Sequence, residues 1–123
     1  MSIRKVIFVD DDPSMIRVLE LAFSQAGFQT FRVMDSEAAL TTIQQEVPDV
    51  VFMDVMMPGK DGYQLCREVR EDTSLRQQPY IIMLTARGMS REQTLAKDAG
   101  ANEFMTKPFS PAQLVNRVRQ ILE

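Results

Sequence analysis

The sequence is short of the residues that most often carry chemistry or brace a fold. It has no histidine and only one cysteine, Cys66. Without histidine the commonest general base and the commonest metal ligand are both missing, so any bound metal would be held by oxygen atoms. Because Cys66 cannot form an intramolecular disulfide, a reducing compartment and a packing role for this side chain are the simplest interpretation.

Long hydrophobic runs are also missing. The N-terminal apolar run covers only residues 6–9, which is too short for the hydrophobic region of a signal peptide, and no run approaches the roughly 20 residues of a membrane span. The formal net charge of −3 gives no electrostatic reason to expect direct binding of nucleic acid. We therefore expect a cytoplasmic protein without membrane association, and a single domain over residues 1–123.

Five short β-prone runs alternate with five segments of helical character. The predicted strands cover residues 6–9, 29–33, 50–53, 80–84 and 103–106. Each is followed by a predicted helix; the first has Asp12 as its N-cap, Pro13 in its first turn and Gly27 at its end. The fourth helix, about residues 90–99, has a sparse apolar stripe and should be the loosest. This alternation predicts an α/β fold, a flavodoxin-like three-layer (βα)5 sandwich with a five-stranded parallel sheet of order 2-1-3-4-5.

One stretch, VVFMDVMMPGKDG at residues 50–62, places a carboxylate directly after a buried strand. Asp54 follows four apolar residues, and Pro58 and Gly59 then turn the chain away from the sheet. Open α/β sheets bind their ligands at the carboxyl ends of the strands. Asp54 is therefore a candidate functional residue, although a cap of a helix or turn is the other interpretation of such an aspartate.

Polar residues follow the other central strands as well. Asp10 and Asp11 come after the first strand, Thr85 after the fourth and Lys107 after the fifth. Taken singly they can be a cap, a hydroxyl turn and a solvated charge. Because strand ends share one edge of a parallel sheet, we expect all of them to converge on Asp54.

Such a cluster has definite chemistry. Three neighbouring carboxylates need a cation, and oxygen-only ligands favour Mg²⁺, with Mn²⁺ also suitable. Since Mg²⁺ takes only one or two protein carboxylates, one is left to act as a nucleophile toward a phosphoryl group, with a lysine and a hydroxyl beside the transferred oxygens. The sequence contains neither a GxxxxGK[ST] loop nor a GxGxxG turn for holding a nucleotide.

The segments VIFVDDDPSM, VVFMDVMMPGKDG, IIMLTARG and GANEFMTKPFSPAQLVNRV resemble the receiver domains of bacterial response regulators. The resemblance covers essentially the whole chain and implies a phosphorylation switch in two-component signalling. It implies that Asp54 is the phosphoacceptor and that Mg²⁺ is bound by Asp10, Asp11, Asp54 and the backbone carbonyl of Met56.

The same resemblance assigns the remaining site residues. Thr85 would be the switch hydroxyl, Lys107 would pair with the phosphoryl group, and the bond before Pro108 would be cis. Phe104 falls at the family's aromatic switch position, although it can equally be a core residue. The partners implied are a sensor histidine kinase or phosphotransfer protein and a downstream protein target.

The closing segments most resemble receivers attached to winged-helix DNA-binding domains. Gln93, Asn102 and Gln113 stand where that subfamily normally has charged residues forming ion pairs between subunits. We therefore expect a monomer or a weak phosphorylation-dependent dimer, from a stand-alone or excised receiver.

An enzymatic alternative also exists. Residues 10–14 fit the DxDx[ST] pattern of haloacid-dehalogenase-type phosphatases, with Asp10 as nucleophile. That interpretation lacks a later acidic pair for the metal and leaves Asp54 without a role, so we expect a switch and not an enzyme, one that catalyses only its own phosphorylation and dephosphorylation.

Overall fold

The computed structural model describes residues 4–56, 61–85, 90–107 and 110–122, without the side chains of residues 90–92. The strands are β1 (Lys5–Val9), β2 (Gln29–Val33), β3 (Val50–Asp54), β4 (Tyr80–Thr85) and β5 (Glu103–Thr106). The helices are α1 (Pro13–Gln25), α2 (Ser36–Glu46), α3 (Gly62–Glu71), α4 (Ser90–Asp98) and α5 (Pro111–Leu122). Every predicted strand and helix is present.

The strands form a parallel sheet in the order β2-β1-β3-β4-β5, which confirms the predicted topology. β1, β3 and β4 are almost wholly buried, as expected for strands covered on both faces. The carboxyl ends of these central strands lie side by side, with Asp54 in register with Leu84. The predicted convergence of polar residues therefore has its structural basis.

Two hydrophobic clusters cover the two faces of the sheet. Helices α2, α3 and α4 pack on one face, where Cys66 is fully buried, as its predicted packing role requires. Helices α1 and α5 pack on the other face around Phe8, Phe23 and Phe52, whose rings lie 5.3–5.6 Å apart. Within the described residues, no helix is both long and apolar enough to cross a membrane.

Local signals in the sequence explain how the first helix is bounded. The Asp12 carboxylate accepts from the backbone N–H groups of Ser14 and Met15, at 3.1 and 3.3 Å, and Pro13 opens the helix. Gly27, with φ of +96°, ends it. The segment between Asp12 and Gly27 therefore folds as predicted, which sets α1 at the edge where the polar residues gather.

Two strands run one residue further than predicted. Asp54 is the last residue of β3, and Thr85 is the last residue of β4. The pairing continues because the Val55 N–H donates to the Leu84 carbonyl at 3.0 Å, and the Lys107 N–H donates to the Thr85 carbonyl at 2.7 Å. Both side chains are thus held by the sheet itself and not by the loops that follow.

Candidate functional site

Asp54 is the last residue of β3, at the carboxyl edge of the sheet. The residue is only 6% exposed, and its Oδ1 accepts from the backbone N–H of Met56 at 3.4 Å. Its backbone is fixed on one side by the pairing of β3 with β4. The carboxylate is therefore largely shielded from water while remaining at the end of the strand.

Two further carboxylates stand beside it at the end of β1. Asp10 is buried, and its Oδ1 accepts from the backbone N–H of Asp12 at 3.0 Å. Asp11 is exposed. One carboxylate oxygen from each of Asp10, Asp11 and Asp54 lies within 4.8 Å of the others. An oxygen-only cluster of this size suits a hard divalent cation such as Mg²⁺.

Lys107 connects two of these carboxylates. Its Nζ lies 3.3 Å from Asp10 Oδ2 and 3.3 Å from Asp54 Oδ1. The contact with Asp10 was not anticipated from the sequence, which paired Lys107 only with a phosphoryl group. When all four groups are ionised, three negative charges face one positive charge, so the site retains a net negative charge that a divalent cation would balance.

Burial and the neighbouring charges together change the pKa values of Asp54 and Lys107. The pKa of Asp54 is raised from 3.8 to about 6, because burial and the charge of Asp10 together outweigh the opposing effects of Lys107 and the Met56 amide. Burial lowers the pKa of Lys107, but the charges and hydrogen bonds of Asp10 and Asp54 outweigh it, so that pKa is raised. Lys107 is thus a permanent cation at neutral pH, beside a carboxylate that gives up its proton only near pH 6.

The other predicted site residues lie at varying distances from this cluster. Thr85 is buried at the end of β4, next to the backbone of Lys107. Met56, two residues after Asp54, is 76% exposed. Phe104 is half-buried and packs against the hydrophobic cluster that α2, α3 and α4 cover. Its position is intermediate between solvent and core. Pro108 lies outside the described residues.

Gly62 is a site residue that the sequence pattern did not single out. It is the first residue of α3, and its N–H donates to the Val55 carbonyl at 2.9 Å. A Cβ atom there would stand 2.3 Å from the Asp54 carbonyl oxygen and 3.0 Å from Val55 Cα. Only glycine allows α3 to begin this close to the end of β3. A glycine after an acidic N-cap, Asp61, was the signal available in the sequence.

Comparison with known proteins gives the same picture. The response regulator receiver domain family matches residues 6–119. This chain belongs to that family. A transcriptional regulator, ycf27, from Guillardia theta is 42% identical over 118 residues, which are 96% of this chain and 45% of the relative.

Solved structures agree with the sequence relatives. A response regulator from Chloroflexus aurantiacus is 40% identical with a TM-score of 0.88, each chain covered to 98%. DrrB, an OmpR/PhoB homologue from Thermotoga maritima, is 30% identical with a TM-score of 0.86, over 98% of this chain and 53% of the other. The chain spans about half the length of the curated relatives it matches.

These relationships settle the class of protein. The chain is a receiver domain, a phosphorylation-dependent switch of two-component signalling and not a classical enzyme. The predicted likeness to receivers of DNA-binding regulators is confirmed by the ycf27 proteins and by DrrB. The alternative of a haloacid-dehalogenase-type phosphatase with Asp10 as nucleophile is not supported.

Proposed function

We propose that Asp54 is the phosphoacceptor of this receiver domain. The observation that carries the proposal is the position of its carboxylate, which is shielded at the end of β3, 3.3 Å from the Lys107 ammonium and beside two further carboxylates. In the reaction, a carboxylate oxygen of Asp54 forms a bond to phosphorus as the bond between phosphorus and a donor histidine nitrogen breaks. The product is an acyl phosphate.

Asp10 and Asp11 are proposed to hold Mg²⁺ together with Asp54 and the backbone carbonyl of Met56, Mn²⁺ being a possible substitute. The cluster of three carboxylates supports this ligand set. Bound Mg²⁺ would neutralise the charge that builds up on the phosphoryl oxygens during transfer. The N–H of Asp12 keeps the Asp10 carboxylate turned into the site.

Lys107 and Thr85 are proposed to bind the phosphoryl oxygens. Lys107 already contacts Asp54, so an added phosphoryl group would meet a positive charge that is in place before the reaction. Thr85 sits at the adjacent strand end, and its hydroxyl would move toward the new acceptor atoms. Phe104 is proposed to respond to that movement by burying its ring more deeply, and Pro108 is proposed to follow a cis bond.

The partners follow from this chemistry. The phosphoryl donor is proposed to be a sensor histidine kinase or a phosphotransfer protein. The phosphorylated domain is proposed to act on a downstream protein target through the surface formed by α4, β5 and α5. The same residues would catalyse only the phosphorylation and dephosphorylation of Asp54.

The phosphoacceptor assignment predicts a clear labelling result. Incubation with acetyl phosphate and Mg²⁺ should add one phosphoryl group per chain, measured by intact mass, and Asp54→Asn should abolish it because the amide cannot form an acyl phosphate. Asp35→Asn is a suitable control, since Asp35 is an exposed cap of α2 and asparagine also caps helices. Undiminished labelling of Asp54→Asn would show that another residue is the acceptor.

The metal assignment is tested by two neighbouring aspartates. Asp11→Asn should weaken Mg²⁺ binding at least about tenfold, because it removes a charged ligand. Asp12→Asn should leave it nearly unchanged, since the Asp12 carboxylate caps α1 instead of joining the cluster. Isothermal titration of each metal-free variant with Mg²⁺ gives the comparison. Equal losses in both variants would show only a dependence on overall acidity.

A further inference from the structure

The described apolar contacts of helix α4 lie toward its C-terminal end. Its described buried side chain, Ala96, and Ala99 just beyond the helix pack on the sheet, and Leu95 is partly buried with them. Gln93 and Thr94, one turn earlier, are exposed. Among the side chains that the structure describes, those that hold α4 by apolar contact therefore lie in its C-terminal half.

The C-terminal end is also closed by a Schellman motif. The N–H of Gly100 donates to the Lys97 carbonyl at 3.0 Å, and the N–H of Ala101 donates to the Ala96 carbonyl at 3.0 Å. Gly100 adopts a φ of +96°, which the motif requires. The chain then enters β5 through Asn102, whose N–H donates to the Ile81 carbonyl at 2.9 Å.

Arg70 of α3 fastens this turn to the rest of the domain. Its Nε donates to the Gly100 carbonyl at 2.7 Å, and its Nη2 donates to Asn102 Oδ1 at 2.6 Å. Its Nη1 donates to the Pro79 carbonyl and to Gln78 Oε1, both at 2.8 Å. The same Asn102 oxygen accepts from the Ile81 N–H at 2.8 Å. One guanidinium thus joins α3, the approach to β4 and the turn between α4 and β5.

The packing around Gly100 depends on the same arginine. A Cβ atom on Gly100 would stand 2.7 Å from Arg70 Cγ, so the stem of Arg70 lies directly against the glycine. Arg70 and Gly100 therefore fit each other both by contact and by hydrogen bonding. We call Arg70, Gly100 and Asn102 together the α4 anchor.

The acceptors around Arg70 are neutral. They are two backbone carbonyls and two side-chain amides, and within the described residues no carboxylate is paired with this guanidinium. Arg70 lies in the last turn of α3 and bonds to the Gly100 carbonyl just beyond α4, so the partial negative charge at the C-terminal ends of both helices favours the cation. The adjoining cleft of about 420 Å³ is therefore better explained as the surroundings of a structural tie than as an anion site.

We propose that the α4 anchor is a fixed pivot, so that activation of the switch moves the N-terminal part of α4, residues 90–95, while residues 100–102 stay in place. The inference rests on the proposed function for its activated state. A partner could then distinguish the two states only through residues 90–95 and the neighbouring Phe104. Contacts at Asn102 would be the same in both states.

Amide hydrogen exchange of the whole chain tests the pivot, with and without beryllofluoride and Mg²⁺ as a phosphate mimic. In the untreated protein, Arg70→Met should speed exchange at Gly100, Ala101 and Asn102 about tenfold, because it removes the hydrogen bonds that hold the turn. Arg67→Met is the matched control, since Arg67 is an exposed residue of the same helix. In the wild type, beryllofluoride should change exchange at residues 90–95 and leave residues 100–102 unaltered; in Arg70→Met the change should spread into residues 100–102.

Equal exchange at residues 100–102 in Arg70→Met and Arg67→Met would overturn the anchor. Beryllofluoride changes as large at 100–102 as at 90–95 in the wild type would overturn the pivot. If Arg70→Met does not fold, Asn102→Ala removes one acceptor of the same tie and should give a smaller acceleration at the same amides. A chain that shows no beryllofluoride response anywhere would contradict the proposed function and the pivot, while the comparison of untreated proteins would still report on the anchor.

Discussion

At the residue scale, the raised pKa of Asp54 makes the stability of the metal-free domain depend on pH. Between about pH 4 and pH 6 the folded state keeps a proton on Asp54 that the unfolded state has lost, so unfolding releases a proton and stability falls as the pH rises through this window. The effect is on the order of 2 kcal/mol. Asp54→Asn should remove this part of the pH dependence and be the more stable protein above pH 6.

Urea unfolding in EDTA at several pH values between 4 and 7 measures this difference. Parallel stability curves for wild type and Asp54→Asn would show that Asp54 titrates normally in the folded protein.

Gly62 gives a second prediction at this scale. Gly62→Ala should lower both the stability and the rate of Asp54 phosphorylation, because the new methyl group overlaps the Asp54 carbonyl oxygen and must shift the end of β3. Overpacking of this kind typically costs about 1–3 kcal/mol. Gly27→Ala is the contrasting variant: its φ of +96° makes it cost about 1 kcal/mol, but no atom lies within 4 Å of its Cβ.

Thermal melts and acetyl phosphate labelling of both glycine variants separate the two effects. Gly27→Ala should lose stability and keep its labelling rate, measured below its melting temperature. If Gly62→Ala labels as fast as Gly27→Ala, then the start of α3 does not position Asp54.

At the element scale, the boundaries that could be predicted are those with a local chemical signal. Asp12 and Pro13 begin α1, and Asp35 caps α2 with its carboxylate 2.9 Å from the Ala38 N–H. The end of α2 at Glu46, which was also predicted, has a weaker signal, Pro48 two residues later. It is closed by Val47 at φ of +48°, a left-handed conformation that a β-branched residue rarely adopts. The tertiary path into β3, and not local preference, decides this conformation.

Val47→Asn should therefore stabilise the domain. The left-handed conformation costs an ordinary residue about 1–2 kcal/mol, and asparagine tolerates it. The half-buried valine methyl groups would be lost at a cost of about 0.8 kcal/mol per methylene equivalent. Because the relief of backbone strain exceeds this loss of burial, we expect a net gain of roughly 0.5 kcal/mol in urea unfolding. A lower stability would mean that packing of the valine outweighs its strain.

At the scale of the whole molecule, the residues of the candidate site were easier to predict from the sequence than the side-chain contacts around them. The alternation of strands and helices requires a parallel sheet, and a parallel sheet brings Asp10, Asp54 and Lys107 to one edge whatever the details of the loops. The contact between Lys107 and Asp10 could not be predicted in this way, because it depends on how the two side chains are oriented in the folded protein. The hydrogen bonds from Arg70 to Gly100 and Asn102 join segments about 30 residues apart. No periodic pattern in the sequence relates these positions, so the contact could not be predicted.

The surface formed by α4, β5 and α5 carries the last prediction. Some of its charged and polar groups are engaged within the chain: Arg117 Nε donates to Glu103 at 2.9 Å, and the Tyr80 hydroxyl donates to the same carboxylate at 2.8 Å. Asn102 is bound by Arg70 and Ile81. Gln93 and Gln113 are exposed but neutral. At positions 93, 102 and 113 a second copy would therefore find no charge with which to form an ion pair.

We accordingly expect the domain to remain monomeric when activated. Light scattering during gel filtration, over a tenfold range of concentration with Mg²⁺ and beryllofluoride, should give a mass near 14.0 kDa in both states. A mass that doubles only with beryllofluoride would show that α4, β5 and α5 pair without these ion pairs, through apolar contact alone. If the protein stays monomeric and its hydrogen exchange at residues 90–95 still changes, the result would instead indicate that a different protein binds this surface. The activated surface would then be exposed on a monomer, with no second copy bound to it.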